Sequence, residues 1–119
     1  MNNIEKGKIA ENYAIKFLRE NNYKIICTNY RFRRFGEIDI IAGESEYICF
    51  IEVKARSSNR FGYPSEAVNY IKRNRIKNTA SYYLAENKIR DAKVRFDVVE
   101  VFFNASDNDV KINLIKNAF

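Results

Sequence analysis

A chain of 119 residues suits one domain, and at that length roughly two thirds of the unfolded surface can be buried without a disulfide or metal staple. It contains no histidine, which excludes Ser-His-Asp and Cys-His catalysis, and its two cysteines, Cys27 and Cys49, are half the soft ligands of a structural zinc site. Lys and Arg outnumber Asp and Glu by 21 to 15, and the resulting net charge of +6 favours a polyanionic partner.

In chain order, residues 3–21 carry Ile9, Ala10, Tyr13, Ala14, Phe17 and Leu18 at three- and four-residue spacing. This predicts an amphipathic helix, with Asn2 or Asn3 as its cap, Asn21-Asn22 as its stop and Tyr13 on the core face. A strand over 23–30 follows, and Arg31-Phe32-Arg33-Arg34-Phe35-Gly36 turns the chain into a second strand over 36–42. Gly43-Glu44-Ser45-Glu46 reads as a polar hairpin turn, which makes the strand over 47–55 antiparallel to its predecessor. Residues 57–64 hold the chain's one proline and are expected to form a loop placed as a flap over substrate. A second helix over 69–87 has an apolar stripe of Ile76, Ala80, Tyr83 and Leu84, with Lys72, Arg73, Arg75 and Lys77 crowding its first turns. Strands over 94–103 and 110–115, joined by 104–109, complete the order α-β-β-β-α-β-β. The fold expected is a single α/β domain over 1–119, a central mixed sheet flanked by helices. The N-terminus has no leader-like apolar run and no stretch approaches the ~18 residues of a membrane span, so the expected location is the cytoplasm, with no membrane partner.

Charges inside the second and third strands carry the chemical signal. Glu37 and Asp39 alternate on Gly36-Glu37-Ile38-Asp39-Ile40-Ile41-Ala42, and Glu52 and Lys54 alternate on Phe50-Ile51-Glu52-Val53-Lys54-Ala55-Arg56. Residues two apart share a strand face, so two carboxylates and an ammonium can converge. Magnesium or manganese, held by Asp39, Glu52 and the Val53 backbone carbonyl, would suit phosphodiester hydrolysis, with substrate phosphate and waters completing the octahedron. Lys54 would then stabilise the attacking hydroxide or the developing charge. The competing structural reading is an ion network in which Lys54 only neutralises Asp39 and Glu52. Glu37 reads as a supporting or solvent-facing acid. Glu11, at the margin of the first helix's apolar stripe, either reaches the same cluster as a third acid or pairs with Lys8. Asp97 interrupts a later strand and is expected to pair with Arg95.

Arg31, Arg33 and Arg34 interleave with Phe32 and Phe35 beside this cluster, and Arg56, Arg60, Lys72, Arg73 and Arg75 follow it. These eight are the candidate phosphate contacts, which position nucleic acid without reading its sequence.

Together with Phe61-Gly62, Glu66-Ala67-Val68, Arg95-Phe96-Asp97-Val98 and the terminal Asn117-Ala118-Phe119, the two charged strands resemble the bacterial YraN family over nearly the whole chain. That family is grouped by similarity with the restriction-endonuclease-like PD-(D/E)-x-K nucleases, near the archaeal Holliday-junction resolvases. The resemblance implies that Asp39, Glu52 and Lys54 form a catalytic core and that Glu11 is the acid of the first helix. Ile38 stands where the superfamily name has proline, a position that carries no chemistry. The function expected is a metal-dependent endonuclease on DNA, branched or otherwise distorted, acting as a homodimer if it cuts two strands symmetrically. The alternatives are a nucleic-acid-binding module without turnover and an RNA-processing nuclease.

Overall fold

Helix α1 (Asn3–Glu20) begins where the Asn2 side-chain oxygen accepts the Glu5 N–H at 2.8 Å, which satisfies one of the donors a helix start leaves free. The computed structural model describes residues 2–57, 69–103 and 109–119. Within them, strands β1 (Lys24–Phe32), β2 (Gly36–Glu44) and β3 (Tyr47–Ser57) follow α1, and helix α2 (Tyr70–Glu86) precedes β4 (Lys93–Phe103) and β5 (Val110–Ile115). The five strands form one sheet in sequence order, antiparallel throughout except for β3 beside β4, which is parallel. A parallel pair needs a crossover, and α2 lies within it. The order and the flanked mixed sheet match the expectation from sequence.

Each face of the sheet has its own core. Ala10, Ala14 and Leu18 of α1 lie with Ile40, Ala42, Cys49, Ile51, Val99 and Val101 on one side. Ile76, Ala80 and Tyr83 of α2 lie with Ile38, Ile41, Phe50 and Val98 on the other. The buried stripe of α1 is narrower than its periodicity suggests, because two alanines set the helix close to the sheet. Tyr13 is therefore at the margin, 40% exposed and edge-on to Phe103, rather than in the core.

The hairpin turn is also tighter than expected. Pairing continues to Glu44 opposite Tyr47, so the turn is Ser45-Glu46, with Ser45 in the left-handed region at φ 55°. Glu44 stays in the strand because its carboxylate accepts from Arg95 at 2.7 Å and Lys116 at 3.0 Å. Asp97 is fully buried and pairs with Arg95 at 2.9 Å, as its neighbourhood in sequence suggests. It also accepts from the Tyr23 hydroxyl at 3.1 Å and the Asn117 N–H at 2.9 Å, so one carboxylate ties β4 to the start of the sheet and to the C-terminal residues. No helix among the described residues is long and apolar enough to cross a membrane.

Gly36, where β2 starts, sets how closely α2 approaches the sheet. A Cβ there would meet the buried Thr79 Oγ1 at 2.6 Å and the Arg75 carbonyl oxygen at 3.4 Å. Gly36→Ala is expected to lower stability by about 1–3 kcal/mol, read by urea denaturation. Adding Thr79→Ala should restore part of the loss, because the Thr79 hydroxyl bonds only its own helix, at the Arg75 carbonyl, among the partners seen. An undiminished loss in the double variant would mean that contact with the α2 backbone sets the distance.

Candidate active site

The β2–β3 ladder pairs Ile40 with Ile51 and continues from there to the hairpin. Immediately before Ile40, Asp39 replaces a ladder carbonyl with its own side chain: its Oδ2 accepts the Val53 N–H at 2.8 Å. Strict alternation would place Ile38 with Ile40 and Ala42, yet Ile38 belongs to the α2-side core with Ile41. The strands therefore part at Asp39, and its carboxylate fills the opening.

Glu52 lies on the α2 face of β3, with its side chain only 5% exposed. With Asp39 it lines a cleft of about 440 Å³ whose other walls are Gly36, Glu37, Asn69, Ile71, Lys72, Arg75 and Ile76. Burial, the Glu52 charge and the nearby Glu11 push the Asp39 pKa up to about 7, against the lowering effect of the Val53 N–H. Burial likewise raises the Glu52 carboxyl, opposed by Lys72 and Lys54. Two acids in a shared cleft, both raised above their ordinary values by burial, make a site suited to a cation.

An ammonium already stands there. Lys72, in the first turn of α2, places its Nζ 3.2 Å from Glu52. Burial works against its charge, but Glu52 and Asp39 raise its pKa overall. The pKa of Lys54 moves the other way, lowered by burial and by the adjacent Lys72. The two lysines thus divide the work: one carries the charge that compensates the acids, and the other is brought closer to a neutral amine.

Glu11 approaches from the α1 side. Asn29, in β1 with φ 53°, uses its amide nitrogen to join Glu11 at 3.2 Å and Glu37 at 3.3 Å. Glu37 also pairs with Arg31 at 3.2 Å. The donor set fits magnesium or manganese through Asp39, Glu52 and the Val53 carbonyl, since hard cations of this kind take one or two carboxylates and keep waters. Among the described residues no three acidic or thiol side chains are gathered closely enough to hold a metal without such help.

The eight basic candidates separate by position. Arg75 is exposed on the cleft wall, Arg31 is exposed and pairs with Glu37 of the cleft, and Arg33 and Arg34 are exposed in the turn before β2. Arg56 is turned inward to Glu100 at 3.4 Å, with 15% of its side chain exposed, and Arg73 is half-buried over the Phe119 ring. Lys72 is at Glu52, and Arg60 lies outside the described residues, as do the expected flap and the Phe61-Gly62 and Glu66-Ala67-Val68 motifs. Sequence reasoning missed Asn29, which reads as an ordinary strand polar residue, and Glu100, whose partners Arg56 and Asn113 are far away in the chain.

The model of the uncharacterised protein family UPF0102 matches residues 10–101, a span that contains every acid of the cleft. The chain belongs to this family. A UPF0102 protein of Acetivibrio thermocellus is 57% identical over 116 residues, covering 95% of this chain and 89% of that protein. One from Caldicellulosiruptor bescii is 49% identical over the full length of both, and one from Clostridioides difficile 45% identical, also over the full length of both.

The raised Asp39 pKa has a consequence for stability. The unfolded value is about 3.9, so the favourable contribution of Asp39 is complete below that pH and is lost as pH rises through about 7. Asp39→Asn keeps an oxygen to accept the Val53 N–H and removes the charge. The metal-free variant is expected to be more stable than the parent by about 1–3 kcal/mol at pH 8, with the gap narrowing towards pH 5. Thermal denaturation in EDTA across that range checks it, and a variant less stable at pH 8 would make Asp39 a partner in a stabilising ion pair.

Proposed function

We propose that this chain is a cytoplasmic, metal-dependent endonuclease of restriction-endonuclease-like fold that hydrolyses DNA, with branched or distorted duplex as its substrate. The observation that carries this reading is the opening of the β2–β3 ladder at Asp39, which sets two carboxylates at one cleft, with Lys54 near enough to Glu52 to oppose the rise of its pKa and the exposed Arg75 on the cleft wall. A divalent cation bound by Asp39, Glu52 and the Val53 carbonyl would supply positive charge for the developing phosphorane and leaving oxygen and would acidify an attacking water.

The protein's own groups do the rest. The Val53 N–H fixes the direction of the Asp39 carboxylate. Lys54, its pKa lowered by burial and by Lys72, can accept a proton at Nζ and then hold it beside the developing negative charge. Arg33 and Arg34, in the turn before β2, and Arg75, on the cleft wall, are exposed and available to phosphates. Symmetric cutting of a four-way junction needs two such sites, hence a homodimer.

The Lys72–Glu52 pair supports a second reading, because it neutralises the site without metal: a binding module with no turnover. Cleavage of labelled four-way junction, flap, single-stranded and linear DNA, with RNA as competitor and Mg²⁺ or Mn²⁺ present, separates the two. Asp39→Asn and Lys54→Ala are each expected to lower cleavage by about 100-fold or more while leaving DNA binding largely intact, since binding is spread over many phosphates. Junction binding with no cutting by the parent protein would favour the binding module. Full activity in Lys54→Ala would remove lysine from the mechanism.

A further inference from the structure

The turn between β1 and β2 carries aromatic surface that the fold does not require. Phe32 stacks on Tyr82 of α2, with ring centroids 3.8 Å apart and planes 12° from parallel. Phe35 lies nearly parallel to both, 6.3 Å from Phe32 and 6.1 Å from Tyr82. Anchoring the turn to α2 accounts for the first pair, but Phe35 remains 52% exposed and Tyr82 40% exposed. The Arg33 guanidinium sits 5.3 Å from the Phe32 ring, Arg34 is exposed in the same turn, and Arg75 is exposed on α2, its carbonyl oxygen 3.4 Å from where a Cβ on Gly36 would lie. Flat aromatic faces beside a guanidinium, on a chain of net charge +6, match the chemistry of an unpaired nucleobase and its flanking phosphates, which offer both a π face and the opposite charge.

The position is as informative as the composition. Gly36, the residue after Phe35, lines the carboxylate cleft, as does Arg75. Asp39 is four residues further along β2, about 13 Å by strand rise, or about four nucleotides of a stacked strand. We infer that Phe32, Phe35 and Tyr82 form a platform on which a base of a locally single-stranded DNA segment stacks, with the strand running from there to Asp39 and Glu52. The platform selects DNA with an unpaired base about four nucleotides from the cut, as at a flap or a branch, because a base inside an intact duplex cannot reach Phe35 without leaving its own stack. This inference rests on the nuclease reading for its strand direction but not for its binding chemistry.

Fluorescence anisotropy in EDTA tests it with labelled single-stranded, flap and blunt duplex DNA and with single-stranded RNA. Phe35→Ala is expected to weaken single-stranded and flap binding by about 10-fold while changing duplex binding by no more than about 2-fold. Phe35→Trp should keep flap affinity, and its indole emission, the only one in a chain without tryptophan, should change when single-stranded DNA binds. Flap binding unaltered in Phe35→Ala, an equal loss on duplex, a silent tryptophan, or tighter use of the platform by RNA would each overturn the inference. Anisotropy reads binding and not turnover, so a parent protein that stacks the base yet cuts nothing in the metal-dependent cleavage assay would leave the platform standing and remove the nuclease. Metal-dependent cutting of flap DNA unaffected by Phe35→Ala would do the reverse.

Discussion

The hydrogen bond from the Val53 N–H to the Asp39 carboxylate holds the site in its present form. A sheet interior offers few places for a charge, because every ladder position is taken by backbone and both faces are covered by helices. Here the ladder stops at Ile40 and Ile51, and a side chain occupies the next hydrogen-bonding position. This substitution satisfies the amide that the parting strands would otherwise leave without its ladder partner, and it points a carboxylate at the cleft next to Glu52. An apolar residue at 39 would close the gap or orphan Val53, so the strand opening and the acid depend on each other.

Charge balance around that opening comes from both layers. Glu11 and Asn29 approach from the α1 side, and Lys72 descends from the first turn of α2. Gly36 permits this convergence by letting α2 come close to β2 where the cleft begins. The balance is incomplete: burial still raises both acids, Glu52 adds to the rise at Asp39 and Glu37 to that at Glu52, and Lys72 keeps 45% of its side chain exposed. By contrast, Asp97 has Arg95, Tyr23 and Asn117 around it and is fully enclosed, the pattern of a carboxylate that serves the fold.

Much of this was legible in the residues themselves. Periodicity located both helices to within a residue or two, and apolar runs located all five strands, because local patterning and burial agree there. The acids inside β2 and β3 stood out for the opposite reason: charge in a doubly covered strand contradicts its surroundings. What sequence could not supply was partner choice. Lys72 and Arg56 read as two of eight similar cations, and only the fold sends the first to Glu52 and the second to Glu100, 44 residues away. The narrow α1 stripe that leaves Tyr13 exposed depends on how close two alanines bring a helix to the sheet, and helical spacing does not encode that distance. The face change at Ile38 was hidden in the same way, since it follows from Asp39 replacing a backbone group and not from any break in the apolar pattern.

Whether Asp39 and Glu52 hold a divalent cation is tested most directly by amide NMR with added Mn²⁺, which needs neither substrate nor turnover. Sub-stoichiometric Mn²⁺ is expected to broaden the Asp39, Glu52 and Val53 resonances first, with excess Mg²⁺ restoring them and Asp39→Asn abolishing the effect. Broadening centred elsewhere, or unchanged in Asp39→Asn, would contradict the claim that this opening in the sheet is built for a metal ion.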